Sequence, residues 1–384
     1  MRKQLVAFSL LFLSGLLALA CASNTQAQRS SNAGGQQTSS QPISADYKFS
    51  GPYTHKNLTV FLIHGTNKHQ GKVPLTLQEA MEQKKVKVIE TGNVNQLAIQ
   101  NVSDEEVFVQ SGDIVKGGQQ DRVLAMDLIV PPRSRRIPID SFCVEQGRWQ
   151  QRGEEAVAAF SSSDQMLNHK DLKVAAKGKR SQGDVWEKVA ESQSKLSRNV
   201  AIASAKSVPG GISVGGGSGG VAGYAPPATP PAAIDVTSSA SRSSLQLTLE
   251  NNVVKETADE YTKALSSAIA GKNDVIGYAF AINGDINSAD VYSSHALFVK
   301  LWPKLLKASS LEAIAEFDQS NKAQSVSVES VQAFLAEAEN GQAEQKEITA
   351  RVAMEKRESD KHLFFETRDR KKGDEWLHRN YLKK

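Results

Sequence analysis

The chain has 384 residues, of which 40% are hydrophobic and 23% are charged, and its formal net charge is +4. These proportions are ordinary for a globular protein, and residues 46–384 are enough for one large domain or two smaller ones. The charge includes Arg2 and Lys3 at the start of the chain. No pronounced basic stripe with interleaved aromatic residues is present, so nucleic acid is excluded as a predicted partner.

Residues 1–20 predict a secretory signal peptide. A short basic start is followed at residues 5–20 by an uncharged apolar run, which is short for a membrane span but suits a signal. Small residues precede Cys21, as in the bacterial lipobox, where the cysteine carries lipid and becomes the mature N-terminus. We therefore predict an exported lipoprotein. The alternative is cleavage by an ordinary signal peptidase, for which the candidate positions follow Ala20, Ala22 and Ala27.

Residues 21–45 predict a disordered tether, because they are rich in Ser, Gln, Asn and Gly and hold little apolar mass. A tether after a lipidated Cys21 suits a domain that stands clear of a bilayer. The predicted partner is thus a bacterial membrane, on its periplasmic side, with the outer membrane as one option. With Cys21 lipidated, Cys143 has no cysteine left for a disulfide, so it should be buried or used.

The overall fold class predicted from the sequence is α+β. Residues 46–165 form short runs in which apolar and polar side chains alternate, which predicts a β-sandwich or barrel-like domain. Within this range Thr76 and Glu79 have the spacing of a capping box, so a helix is expected at residues 76–83. Other segments expected to be strands are 58–63, 85–89, 96–100, 106–110, 122–130 and 136–139.

Residues 166–384 predict a helix-rich α+β half. Asn283-Gly284 is a strong turn signal between two apolar runs, which predicts a hairpin. A closing pair of strands is expected at 363–367 and 376–381. Helices are expected at 184–196, 252–270, 294–307, 311–317, 328–339 and 343–359.

A Gly/Pro/Ser-rich insertion at residues 207–244 is predicted to be a disordered loop. Gly215, Gly217 and Gly220 have the spacing of a dinucleotide fingerprint, but the run leads into proline pairs rather than into a helix. No cofactor is therefore predicted.

The densest group of polar residues predicts a shaped site at the edge of the β-structure, between residues 111 and 149. Strand alternation would place Arg122 opposite Glu145, with Lys116 and Arg148 at the mouth of a cleft. The residues proposed to bind a ligand are Lys116, Gln120, Asp121, Arg122, Glu145 and Arg148.

The candidate catalytic residues are Glu145, Asp113 and Cys143. Each has a structural alternative: Cys143 as a small core residue, and the carboxylates as turn formers. His378 is expected to be structural. No metal site is predicted, because the spacings of the histidines at 55, 64 and 69 match no zinc pattern.

A family resemblance is carried by the segments 55–61, 112–124, 137–139, 142–149, 277–284, 298–306 and 376–379. Together they resemble the ARG and rhodanese-phosphatase-superfamily-associated protein domain, in which ARG denotes ADP-ribosylglycohydrolase. The resemblance covers nearly all of residues 46–384 and implies at most a link to ADP-ribose or NAD metabolism.

Two function classes follow. The favoured one is a binding or scaffolding lipoprotein that holds a small anionic ligand or a partner in a polar cleft. The alternative is a hydrolytic enzyme linked to ADP-ribose or nucleotide metabolism, in which Glu145 or Asp113 acts as a base.

Overall fold

The protein is described here by a computed structural model. The structure describes residues 41–68, 71–148, 150–155, 159–204, 232–318, 320 and 325–384. The predicted signal peptide, Cys21 and most of the predicted tether lie outside the described residues, as does most of the predicted loop. Residues from Pro42 to Lys384 belong to one compact unit.

An eight-stranded sheet contains strands from both ends of the described chain. Its order is β1-β2-β12-β13-β17-β16-β15-β14, and every neighbouring pair is antiparallel. β2 pairs with β12, so residues 46–165 and 166–384 share this sheet. Its strands are β1 (Lys48–His55), β2 (Leu58–His64), β12 (Val275–Ile282), β13 (Asp285–Tyr292), β14 (Gln342–Glu347), β15 (Val352–Glu358), β16 (His362–Asp369) and β17 (Glu375–Lys383).

Two smaller sheets lie within residues 75–161. The six-stranded sheet has the order β11-β7-β8-β10-β5-β4, and the three-stranded sheet has the order β3-β6-β9. Their strands are β3 (Leu75–Thr76), β4 (Val86–Glu90), β5 (Gln96–Asn101), β6 (Val107–Val109), β7 (Ile114–Gly117), β8 (Arg122–Leu124), β9 (Leu128–Val130), β10 (Ile137–Cys143) and β11 (Phe160–Ser161).

Helices cover one part of the large sheet and link it to the smaller sheets. One cluster of buried apolar residues includes side chains from all three sheets. The α+β fold class is confirmed. The helices are α1 (Leu77–Glu82), α2 (Lys170–Lys173), α3 (Gln182–Ser204), α4 (Leu245–Leu249), α5 (Asn252–Leu265), α6 (His295–Ala315) and α7 (Val328–Glu339). A π-helical segment, Val174–Lys179, follows α2 directly.

Locally encoded features are confirmed. Thr76 and Glu79 form both hydrogen bonds of a capping box at the start of α1. Asn283 and Gly284 both have positive φ, as a type I′ turn requires, and they join β12 to β13. The closing strand pair is β16 with β17.

The helix expected at residues 343–359 is wrong. β14 and β15 occupy this range, with a turn between them in which Ile348 N and Thr349 N donate to Val352 O. The segment is rich in Ala, Glu and Lys, which favour helices, but seven residue pairs join β15 to β16. Pairing with a neighbouring strand therefore overrides the local propensity.

Two further expectations differ from the structure. Residues 311–317 do not begin a separate helix, because α6 continues through Pro303 to Ala315. The predicted loop lies outside the described residues at 207–231, but residues 232–244 pack against the domain. Val236 is fully buried, and Ile234 N donates to Ser197 O at 2.8 Å.

Candidate functional site

The motif residues lie on β7, β8 and the chain after β10. Between β7 and β8 the backbone turns at Gly117 and Gly118, both with positive φ. A Cβ at Gly118 would lie 2.5 Å from the ring of Phe160, so glycine permits both the turn and the close approach. This turn carries Gln120 and Asp121 into the interior, where both are fully buried.

Asp121 is held by four donors. Arg152 binds it with a two-pronged contact, Nη1 to Oδ2 at 2.9 Å and Nη2 to Oδ1 at 3.0 Å. Gly117 N donates to Oδ1 at 3.0 Å, and Ser244 Oγ donates to Oδ2 at 2.8 Å. Both carboxylate oxygens of this buried acid are therefore occupied by protein groups.

Glu145 belongs to the same network. Arg148 Nε donates to its Oε1 at 2.7 Å, and Asp121 N donates to its Oε2 at 2.9 Å. Arg152 Nη1 lies 3.4 Å from Oε1. Burial acts to raise the pKa of Glu145, but these donors outweigh it and hold the pKa below its ordinary value. We call Asp121, Glu145, Arg148, Arg152 and Ser244 the motif cluster.

The predicted opposition of Arg122 and Glu145 is wrong. Arg122 lies in register with Cys143 on β10, whereas Glu145 follows the end of that strand, where alternation no longer applies. Arg122 is buried and donates from Nη1 to Gln120 Oε1 at 3.2 Å. Its Nη2 lies 3.6 Å from Glu90 Oε1.

The remaining predicted site residues are also engaged. Lys116 Nζ lies 3.0 Å from Glu250 Oε1, and Asp113 Oδ1 accepts from Lys304 Nζ at 2.6 Å. Cys143 is fully buried, and burial raises its pKa to about 11, which opposes a nucleophilic role. Ligand binding by the predicted residues stays a prediction, and their contacts favour a structural role.

A second buried polar group lies where β17 crosses the core. His378 lies between two carboxylates: its Nδ1 is 2.9 Å from Asp127 Oδ2, and its Nε2 is 3.0 Å from Asp290 Oδ1. Tyr292, its register partner on β13, stacks on the imidazole with ring centroids 4.5 Å apart. We call Asp127, Lys177, Asp290 and His378 the central cluster.

The charges of this cluster stabilise one another. Burial acts to lower the pKa of His378, but Asp127 and Asp290 outweigh it, so the pKa lies above its ordinary value. A protonated imidazole can donate to both carboxylates, which matches the two short distances. Asp127 also accepts from Thr367 Oγ1 at 2.7 Å and from Ser111 N at 2.8 Å. His378 is thus held in place and is not a free base.

Lys177 is the unusual member of the cluster. It lies on the π-helical segment and is buried, yet its ammonium makes no hydrogen bond to a described residue. The carboxylate oxygen within 4 Å of its Nζ is Asp127 Oδ2, at 3.9 Å. The Nζ also lies 4.6 Å from the ring centroid of Phe365. Burial lowers the pKa of Lys177, and Asp127 opposes that effect only in part.

A small cavity adjoins Lys177. Its volume is about 10 Å³, which is close to the space that one water molecule needs. Asp290 also lines it, and its Oδ2 has no hydrogen-bond partner among the described residues. The cavity can therefore hold a polar group that contacts both an ammonium and a carboxylate. Its lining includes Gln110, Ser111, Gly112, Lys173, Lys177, Asp290, His378 and Asn380.

Larger cavities lie at the surface. One of about 290 Å³ is lined by His169, Lys195 and Glu316, which bond to one another. Another, of about 610 Å³, lies beside Phe334 and His362. Neither presents a buried ammonium that lacks an acceptor, so the cavity at Lys177 is the stronger candidate.

Sequence reasoning missed the central cluster. Its four members come from the segment before β9, the π-helical segment, β13 and β17, so no local spacing joins them. His378 was expected to be structural, and its position between two carboxylates fits that expectation. The available signal was weak: Asp127 stands within an apolar run, where a charged residue needs a partner.

Neither a metal centre nor a membrane-spanning helix is found where the structure describes the chain. No three or more His, Cys, Asp or Glu side chains are grouped there to hold a metal ion. Every helix in those residues is too short or too polar to cross a bilayer.

Comparison with known proteins gives one match. Residues 46–382 match the family model of the ARG and rhodanese-phosphatase-superfamily-associated protein domain, which agrees with the resemblance noted in the sequence. No curated protein sequence and no solved structure matches the chain.

Proposed function

We propose, from the premise that this chain belongs to the ARG and rhodanese-phosphatase-superfamily-associated protein domain family, that it is an exported, lipid-anchored protein which binds a small anion beside Lys177. The family description names an association and no reaction, so the proposal depends on the site itself.

Export and anchoring are supported by the sequence at residues 1–45. A basic start, an apolar run and small residues before Cys21 together suit a lipoprotein signal. Replacing Cys21→Ala should abolish incorporation of a labelled fatty acid and move the protein from the membrane to the soluble fraction. Cys143→Ala is the matched control and should keep the label. An unlabelled wild-type protein would contradict the anchor.

The observation that carries anion binding is Lys177, a buried residue whose Nζ lies 3.9 Å from the nearby carboxylate oxygen, Asp127 Oδ2. At 3.9 Å, Asp127 Oδ2 is too far from the Nζ for a hydrogen bond, and a buried charge without hydrogen bonds is costly. Lys173 lines the same cavity, and its charge acts on Asp290. The positive groups are Lys173, Lys177 and, when protonated, His378. The carboxylates are those of Asp127 and Asp290, so one positive charge remains for an anion to neutralise.

The cavity sets the size of the group that enters. A volume of about 10 Å³ admits one atom of the size of a water oxygen. We therefore expect a monatomic anion, or one oxygen at the end of a carboxylate or phosphate, to approach Lys177 while the rest of a larger ligand stays outside.

Thermal-shift and calorimetric titrations with chloride, acetate, phosphate and ADP-ribose test the proposal. At least one anion should raise the melting temperature of the wild-type protein, and Lys177→Met should abolish that shift. Lys179→Met is the matched control, since Lys179 lies on the same segment but is exposed and pairs with Asp184. An equal shift in Lys177→Met, or none in the wild type, would overturn the site.

A second candidate function is hydrolysis of an ADP-ribose-linked or nucleotide-linked substrate. The observation in its favour is that Lys177, whose pKa is lowered by burial, lines a cavity of about 10 Å³, close to the space that one water molecule needs. Asp290 lines the same cavity, and its Oδ2 has no hydrogen-bond partner among the described residues. Hydrolysis of an ADP-ribose-linked or nucleotide-linked substrate by the wild type, but not by Lys177→Met or Asp290→Asn, would favour this function over binding alone.

A further inference from the structure

The last strand of the large sheet has a free edge. β14 pairs with β15 on one side and with no described strand on the other. Five of its six residues are exposed, and the remaining one, Lys346, is half-buried. Its outward backbone N–H and C=O groups are thus available to another strand.

The opposite edge of the same sheet is protected. β1 contains Pro52, which has no N–H to donate, and its register against β2 shifts between Ser50 and Tyr53. Both features discourage the addition of a strand. β14 has neither a proline nor an irregularity in its pairing with β15.

The charges of β14 complement a second copy of β14. Glu344 and Lys346 lie two residues apart, so they share one face of the strand. Neither side chain forms an ion pair or a hydrogen bond with a described residue, and Lys356, opposite Glu344 on β15, pairs instead with Glu358. An antiparallel pair of β14 strands centred on Gln345 would place each Glu344 directly opposite the other copy's Lys346.

We propose that β14 is a homodimerisation edge, at which two copies pair antiparallel about Gln345 to join their large sheets. The arrangement is symmetric, so each copy supplies the same surface and both charge pairs form at once. Directly opposed unlike charges stabilise such a pairing, and like charges oppose it. Because the charges are exposed, the association should weaken as salt is added.

Sedimentation over a range of protein concentrations tests this dimer, with Cys21→Ala in every sample so that lipid cannot drive association. The protein with an unchanged β14 should form a dimer whose fraction rises with protein concentration. Glu344→Lys should give a monomer, because it places a lysine opposite Lys346 of the other copy. Lys346→Glu should also give a monomer, because it places a glutamate opposite Glu344 of the other copy. Lys361→Glu, an exposed change in the β15–β16 turn, should leave the dimer intact.

The decisive sample is a mixture of the two monomeric variants. A Glu344→Lys chain and a Lys346→Glu chain restore opposite charges at both positions, so they should form a mixed dimer. Circular dichroism should show the same fold in every variant. A wild-type monomer at all concentrations, or a dimer that neither reversal affects, would overturn the proposal.

Discussion

The motif cluster and the central cluster are both buried and both charged, but they differ in how completely their groups are paired. In the motif cluster, Asp121 and Glu145 have both carboxylate oxygens occupied by protein donors. In the central cluster, Lys177 Nζ is 3.9 Å from Asp127 Oδ2, which is too far for a hydrogen bond, and Asp290 Oδ2 has no donor among the described residues. A network in which every polar group is paired stabilises the fold, whereas unpaired groups beside a cavity can bind a ligand.

The largest effect is expected in the motif cluster. Glu145→Ala should lower the free energy of unfolding by about 3–5 kcal/mol, because Arg148 and Arg152 would keep buried charge without this partner. Chemical denaturation measures the loss. The nearby exposed Glu154→Ala should change the value by no more than about 0.5 kcal/mol. A stable Glu145→Ala protein that had lost ligand binding would instead support a binding role for Glu145.

Lys177→Met should behave differently, although Lys177 is also buried. The free energy of unfolding should stay within about 1 kcal/mol of the wild-type value, because the change removes the cost of burying an ammonium whose contact with Asp127 Oδ2 is 3.9 Å long. Asp127 would keep its donors from His378, Thr367 and Ser111. A loss as large as that for Glu145→Ala would show that both clusters serve stability alone.

The central cluster should also make stability depend on pH. The pKa of His378 is raised in the folded protein, so its contribution is complete below the unfolded value of about 6.5. That contribution is lost as the pH rises through the folded pKa. As the pH rises from the unfolded pKa of His378 through its folded pKa, the free energy of unfolding should fall less steeply for His378→Gln than for the wild type. Parallel curves for the two proteins would exclude the two carboxylates as the cause.

The smallest effect concerns Cys143, which lies next to the motif cluster. Its pKa, raised by burial to about 11, leaves little thiolate at neutral pH. In a Cys21→Ala background, an alkylating reagent should modify Cys143 only after the protein is unfolded, as mass spectrometry would show. Rapid modification of the folded protein would restore Cys143 as a candidate nucleophile.

The sequence predicts those parts of the fold that depend on residues close together in the chain. The capping box at Thr76 and the turn at Asn283-Gly284 depend on residues a few positions apart, and both are confirmed. The helix expected at 343–359 is wrong because its outcome depends on pairing with β16, which composition does not reveal.

The sequence by itself determined the family, the α+β class and the elements with local signals, because short-range hydrogen bonds and periodicity act between residues close in the chain. It also located a dense polar motif, but not the contacts of that motif. Only the tertiary structure decided that Arg122 turns toward Glu90, and that Lys177 lies near Asp127. Those contacts join segments far apart in the chain, and burial in a shared core, rather than spacing, selects which charges are paired.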